Sequence, residues 1–147
     1  MFTANPVTGA RDEIVINASW GLGEAIVGGL VVPDNILVDK TTGKLKLLTI
    51  ADKIMMTVRT KYGTQEQAVP AEKRKIRTLS DTRAAELASL GAKIEQYYGA
   101  PQDIEWCFAD GHFYIVQVRP ITALPEPPLS WEAPGEANGC TAAGRSR

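Results

Sequence analysis

Residues 103–122, Asp103-Ile-Glu-Trp-Cys-Phe-Ala-Asp-Gly-His-Phe-Tyr-Ile-Val-Gln-Val-Arg-Pro-Ile-Thr122, decide the fold. Two arms alternate around Asp110-Gly111, the pattern of a β-hairpin whose successive side chains point to opposite faces. Ile104, Trp106 and Phe108 rise to the turn, and Phe113 and Ile115 begin the descent. The open end differs. Asp103, Glu105, Gln117 and Arg119 are polar, in strands otherwise made of aromatic and β-branched residues.

Register decides whether those residues act together, because a slip of one residue sends an arm's side chains to the other face. A loop of Asp110-Gly111 alone pairs Glu105 with Val116 and turns Glu105 and Gln117 to opposite faces. A loop of Ala109-Asp110-Gly111, with Gly111 left-handed as a G1 bulge, pairs Phe108 with His112 and sets Asp103 against Gln117. This register gathers Asp103, Glu105, Gln117 and Arg119 on one face and leaves Ile104, Trp106, Phe108, Tyr114, Val116 and Val118 on the other. The apolar character of that second face makes the three-residue loop the expectation.

Two carboxylates, an amide oxygen and a guanidinium on one face suit a defined chemistry. Hard oxygen ligands fit Mg²⁺, which takes one or two carboxylates and completes its octahedron with waters and phosphates. Arginine adds a fork of donors for phosphate. The plain alternative is an ordinary sheet edge with a surface Glu–Arg pair, worth roughly 0–1 kcal/mol.

Composition sets the limits. A chain of 147 residues, 44% hydrophobic and 22% charged, is long enough for one modest domain with a core. A net charge of −1 lacks the basic excess of a nucleic-acid footprint. Cys107 and Cys140 are too few and too far apart for a disulfide framework or a zinc site, which favours a reducing cytoplasm. No apolar run reaches the length of a membrane span, and the first residues lack the regions of a signal peptide.

Upstream of the hairpin, residues 80–98 carry the clearest helix. Ser80 is its cap, or Thr78 if the helix starts earlier; Ala84, Leu87, Leu90 or Gly91, Ile94 and Tyr97 or Tyr98 form its apolar stripe, and Gly99 and Pro101 stop it. Residues 2–9 read as the end of a strand entering a turn, a start expected of a piece of a longer chain. Strands are expected at 13–19, 36–39, 45–50 (after a turn at Gly43) and 53–59, with 61–65 a loop and the basic stretch 69–77 a solvated loop. Gly21-Leu-Gly-Glu-Ala-Ile-Val-Gly-Gly29 is a glycine-rich turn opening a short helix, but it matches neither the dinucleotide fingerprint nor the P-loop. Tight packing is its simpler reading. The lone histidine, His112, belongs to the hairpin tip and is read as a surface residue. Residues 124–135 are proline-rich and read as a linker, with disorder expected beyond and Trp131 either docked or mobile.

Taken together, residues 2–9, Ile16-Asn-Ala-Ser-Trp-Gly-Leu-Gly-Glu-Ala-Ile-Val27, Tyr98-Gly99, Asp103-Ile-Glu-Trp106 and Ile115-Val-Gln-Val-Arg-Pro-Ile-Thr122 resemble the nucleotide-binding domain of the phosphoenolpyruvate synthase and pyruvate, phosphate dikinase family. Rifampicin phosphotransferases are similar in the same places. The resemblance implies an α+β fold, the C-terminal lobe of an ATP-grasp domain over residues 1–122, with a linker and tail over 123–147. It implies ATP and Mg²⁺ as ligands: Glu105 and Gln117 as metal ligands touching ATP, Arg119 as a phosphate clamp, and Asp103 as a metal partner or a support behind the ligands. The partners it implies are an N-terminal ATP-grasp lobe and a phosphohistidine domain, neither recognisable here. The lobe is thus expected to be inactive by itself, and a binding module without chemistry is the alternative. The acceptor, whether pyruvate, phosphate or an antibiotic, is set elsewhere.

Overall fold

The structure, a computed structural model, describes residues 1–126 apart from Leu30. Strands β1 (Glu13–Ala18), β2 (Asp34–Asp39) and β3 (Leu45–Thr49) pair antiparallel in that order. Their alternation buries Ile14, Ile16, Ala18, Ile36 and Val38 on one face. The β2–β3 turn closes at Gly43, whose φ of 69° is a left-handed conformation that suits glycine.

Residues 1–3 join these strands to the hairpin β6 (Gln102–Ala109) and β7 (His112–Pro120). Phe2 bridges Val15 on one side and Asp103 on the other. Its N–H donates to the Val15 carbonyl at 2.8 Å, and the Thr3 N–H donates to the Gln102 carbonyl at 2.9 Å. The result is one antiparallel-dominated sheet in the order β3, β2, β1, residues 1–3, β6, β7.

Helix α3 (Asp81–Tyr98) covers one face of that sheet. Ser80 Oγ caps it by accepting from the Arg83 N–H at 3.3 Å, and Gly99 ends it at φ 72°. Ala84, Leu87, Ala88 and Gly91 are its buried residues, packed with Ile14, Ile36 and Ile104 in a single core. The expected stripe is too long by its last member: Tyr97 and Tyr98 are 84% and 59% exposed, and the buried residues of the helix end at Gly91.

A second hairpin stands apart, made of β4 (Met55–Thr60) and β5 (Gly63–Ala68). The sequence predicts a loop over 61–65, yet residues 63–68 pair through their backbone and are exposed throughout. A strand that buries nothing has no apolar alternation to display. Within the basic stretch read as a loop, α2 (Ala71–Arg74) is a single short helix with no buried residue. The short helix α1 (Glu24–Val27) follows the glycine turn as expected. Residues 121–126 have no regular structure, and the readings for Trp131 and the tail lie outside the described residues. Among the described residues, no helix is long and apolar enough to cross a membrane.

Beneath β2 lies an ion pair that the sequence pattern does not announce, because Lys53 falls at the start of an expected strand. Both Asp34 and Lys53 side chains have 0% exposure, with Nζ 2.6 Å from Oδ1. The Asp34 carboxylate also accepts from the Ala51 N–H at 2.9 Å, the Thr78 N–H at 2.8 Å and the Thr78 hydroxyl at 3.0 Å. Lys53 Nζ donates further to the Ala51 carbonyl at 3.1 Å. Breaking such a pair strands a buried charge, so Lys53→Met is expected to cost about 3–5 kcal/mol. Removing the exposed Arg83–Glu86 pair by Glu86→Gln should cost less than about 1 kcal/mol. Urea midpoints of the two variants measure the contrast, and equal midpoints would refute it.

Gly21 gives a second test. Its φ is 83°, its neighbour Leu22 donates to the Thr57 carbonyl at 2.7 Å, and a Cβ at Gly21 would collide with that same carbonyl oxygen. Gly21→Ala is therefore expected to lower the melting temperature clearly. Gly29→Ala is the comparison, because it meets the same left-handed strain at φ 69° but open space. A smaller loss at Gly21 than at Gly29 would exclude close packing as the reason for glycine there.

Candidate functional site

The hairpin reaches the expected cofacial arrangement by a different route. Its loop is two residues, with Ala109 opposite His112 and both Asp110 (φ 51°) and Gly111 (φ 82°) left-handed, as a type I′ turn requires. Below the tip Trp106 pairs with Ile115, and then the register shifts, so that Glu105 pairs with Gln117 and Asp103 with Arg119. Val116 is the extra residue of a β-bulge on β7. The correction also exchanges residues near the tip. Phe113 and Ile115 pack against the core with Trp106, whereas Tyr114 (49% exposed) and Val116 (65%) face away from it.

Asp103, Glu105, Gln117 and Arg119 thus share the sheet face opposite α3. Cross-strand partners point the same way, so one row on this face runs Leu47, Leu37, Val15, Phe2, Asp103, Arg119. The next row contains Asn35 paired with Asn17 on one side, and Glu105 paired with Gln117 on the other. Asn17 and Asn35 are members of this face that the sequence expectation does not include. The alternation of Glu13, Val15 and Asn17 against Ile14, Ile16 and Ala18 was the available signal.

Electrostatics divides the four hairpin residues into two pairs. Arg119 donates from Nε to Asp103 Oδ2 at 2.8 Å, and a second guanidinium nitrogen lies 2.7 Å from the same oxygen. That hydrogen bond, with the attraction of the carboxylate, pushes the Arg119 pKa further above its ordinary value. Asp103 is the more enclosed partner, with 16% side-chain exposure against 60% for Arg119. It therefore anchors a guanidinium whose remaining donors are open. Glu105 and Gln117 stand opposite each other with no ion pair or side-chain hydrogen bond to described residues.

Other polar groups of this face are already engaged. Glu13 accepts from Lys46 Nζ at 2.6 Å and from Asn5 Nδ2 at 2.8 Å, and these partners, Lys46 foremost, hold its carboxyl below the usual range. The glycine turn packs on β4 at Gly21, in line with the simpler reading of that motif. His112 is exposed at the tip and beside a shallow depression with Glu86, Ser89, Leu90, Lys93 and Phe113, away from the four hairpin residues. Among the described residues no three His, Cys, Asp or Glu side chains converge as a metal cluster. A divalent cation at Glu105 and Gln117 would need ligands from outside this chain, such as the phosphates and waters that complete an Mg²⁺ octahedron.

Comparison with known proteins meets this geometry. Residues 1–130 match the family model described as the pyruvate phosphate dikinase AMP/ATP-binding domain. A phosphoenolpyruvate synthase of Pyrococcus furiosus is 50% identical over 143 residues, covering 90% of this chain and 17% of the relative. A probable phosphoenolpyruvate synthase of Methanothermobacter thermautotrophicus is 50% identical over 126 residues, 86% of this chain and 18% of the relative. A rifampicin phosphotransferase of Bacillus cereus is 43% identical over 124 residues, 84% of this chain and 14% of the relative. The chain thus spans less than a fifth of the length of these curated relatives. The α+β architecture agrees with the expectation, and the match over residues 1–130 establishes the membership: this chain belongs to the pyruvate phosphate dikinase AMP/ATP-binding domain family.

Proposed function

We propose that the chain forms one wall of an ATP·Mg²⁺ site in a phosphoenolpyruvate synthase-like phosphotransferase. The observation that carries this reading is the unengaged Glu105–Gln117 pair beside an Arg119 already anchored by Asp103. A carboxylate and an amide oxygen with no ion pair or side-chain hydrogen bond among the described residues fit a hard cation that still needs phosphate oxygens. Bound there, Mg²⁺ supplies charge neutralisation across the nucleotide phosphates. Glu105 and Gln117 hold the cation, Arg119 directs its free donors at a phosphate oxygen, and Asp103 fixes the guanidinium or joins in holding the metal. Residues 1–122 act as the C-terminal lobe of an ATP-grasp domain in this reading.

The chemistry follows from what one wall lacks. Phosphoryl transfer rests on positioning and on neutralising charge over the whole phosphate chain. A single open face with one anchored guanidinium does this only in part, so the chain alone is read as inactive. The remaining donors come from an N-terminal lobe, and the phosphoryl group passes to a carrier histidine on a further domain. His112, exposed at a hairpin tip, is not that carrier. A second acceptor class, a rifampicin-type antibiotic, stays within the proposal because relatives of that name match the chain over 84% of its length. The cytoplasm is the compartment this reading assigns.

Binding of MgATP to the 147-residue chain, followed by nuclear magnetic resonance, tests the site. Resonances of Glu105, Gln117 and Arg119 are expected to move with MgATP. Glu105→Ala and Arg119→Ala should each weaken binding at least tenfold, as loss of charge-assisted contacts does. Chelating Mg²⁺ should abolish the response in the parent chain. Unchanged binding in both variants would exclude this face as the nucleotide site and favour a module without this chemistry.

A further inference from the structure

Asn17 and Asn35 occupy the same face and the same row as Glu105 and Gln117, yet the reading above gives them no task. Val15 and Asp103 are both bridged to Phe2, and β1 and β6 both run antiparallel to that segment, so they are parallel to each other. Two residues further along each strand come Asn17 and Glu105. They therefore lie on the same side of the Val15–Phe2–Asp103 row, two strand spacings apart, about 10 Å. A polyphosphate chain anchored at Glu105 reaches across such a gap.

The amide pair is arranged to present a donor. Asn35 Nδ2 donates to Asn17 Oδ1 at 3.0 Å, which fixes the Asn17 carboxamide and occupies its oxygen. The Asn17 Nδ2 group then has no acceptor among the described residues. Just beyond, Ser19 Oγ is buried without a hydrogen-bond partner among the described residues, so the end of β1 carries polar groups that these residues leave unsatisfied. Both residues are half-buried, which limits the conformational freedom a ligand must remove.

We propose that Asn17 is a further phosphate-binding residue of this face, donating from Nδ2 to a nucleotide phosphate oxygen, with Asn35 as its positioning residue. The inference rests on the nucleotide site proposed above. It extends the site from β6 and β7 onto β1 and makes the phosphate chain lie across the sheet rather than along the hairpin.

The test is titration of the ¹⁵N-labelled 147-residue chain with MgATP, MgADP and adenosine. The Asn17 side-chain amide resonance is expected to move with MgATP and MgADP and to stay still with adenosine. Asn17→Ala should weaken MgATP binding about tenfold, the effect of losing one hydrogen bond to a charged group. Asn17→Asp still accepts from Asn35 but replaces the donor with a negative charge, so it should weaken binding more than Asn17→Ala at a similar melting temperature. This second variant keeps the test open if the alanine variant folds poorly. A static Asn17 resonance, or unchanged affinity in Asn17→Ala while Glu105→Ala abolishes binding, would overturn the role of Asn17 and leave the site standing. Tighter binding by Asn17→Asp would overturn donation to phosphate. No response to MgATP anywhere in the parent chain would overturn the site itself, and Asn17 with it.

Discussion

The Asp34 carboxylate and the Lys53 ammonium are both withdrawn from water, and the arrangement of three chain segments follows from satisfying them. Desolvating two charges costs several kcal/mol per ion, and attraction offsets this only where hydrogen bonds meet the remaining lone pairs and protons. Here the carboxylate takes donors from Lys53, Ala51 and Thr78. Those partners come from the segment after β3 and from the approach to α3, so β2 is tied to both at once. The Lys53 N–H donates to the Arg74 carbonyl at 3.0 Å, which draws α2 to the same centre. A polar hub of this kind adds little net stability over an apolar one, but it accepts only one arrangement of its donors.

That hub was not legible in the sequence, and the reason is general. A lone lysine between Asp52 and Ile54 looks like any surface lysine, and its partner lies 19 residues away. The elements that were legible bury one regular face. Ala84, Leu87 and Gly91 follow the period of a helix, and Ile14 with Ile16 the period of a strand. β5 was invisible for the opposite reason, since residues 63–68 bury nothing and are held by backbone pairing alone. The helix caps at Ser80 and Gly99 were readable because each residue type answers one local geometric demand.

The candidate site was legible as a set of residues and not as a register. Asp103, Glu105, Gln117 and Arg119 stood out because polar side chains interrupt apolar strands. Their pairing was misassigned because nothing in Ile115-Val116-Gln117 announces a bulge: valine is an ordinary strand residue. Parity rescued the cofacial expectation. A three-residue loop and a two-residue loop with one bulged residue on β7 both turn Gln117 to the side of Glu105. They differ in what lies above, and the exposed Tyr114 and Val116 record the difference.

The bulge reconciles two demands on a single strand. The core needs Phe113 and Ile115 against Trp106, and also needs Val118 opposite Ile104. In an unbroken strand those residues cannot share a face, because Phe113 and Ile115 sit at odd positions and Val118 at an even one. Without the bulge, packing Phe113 and Ile115 inward would carry Gln117 and Arg119 inward as well, placing an amide and a guanidinium under α3. The cost of burying an unpaired charge there exceeds that of one unpaired backbone position at Val116. One extra residue lets the upper half of β7 fill the core while the lower half turns Gln117 and Arg119 toward Glu105 and Asp103. The geometry of the open face is therefore set by what the opposite face must bury.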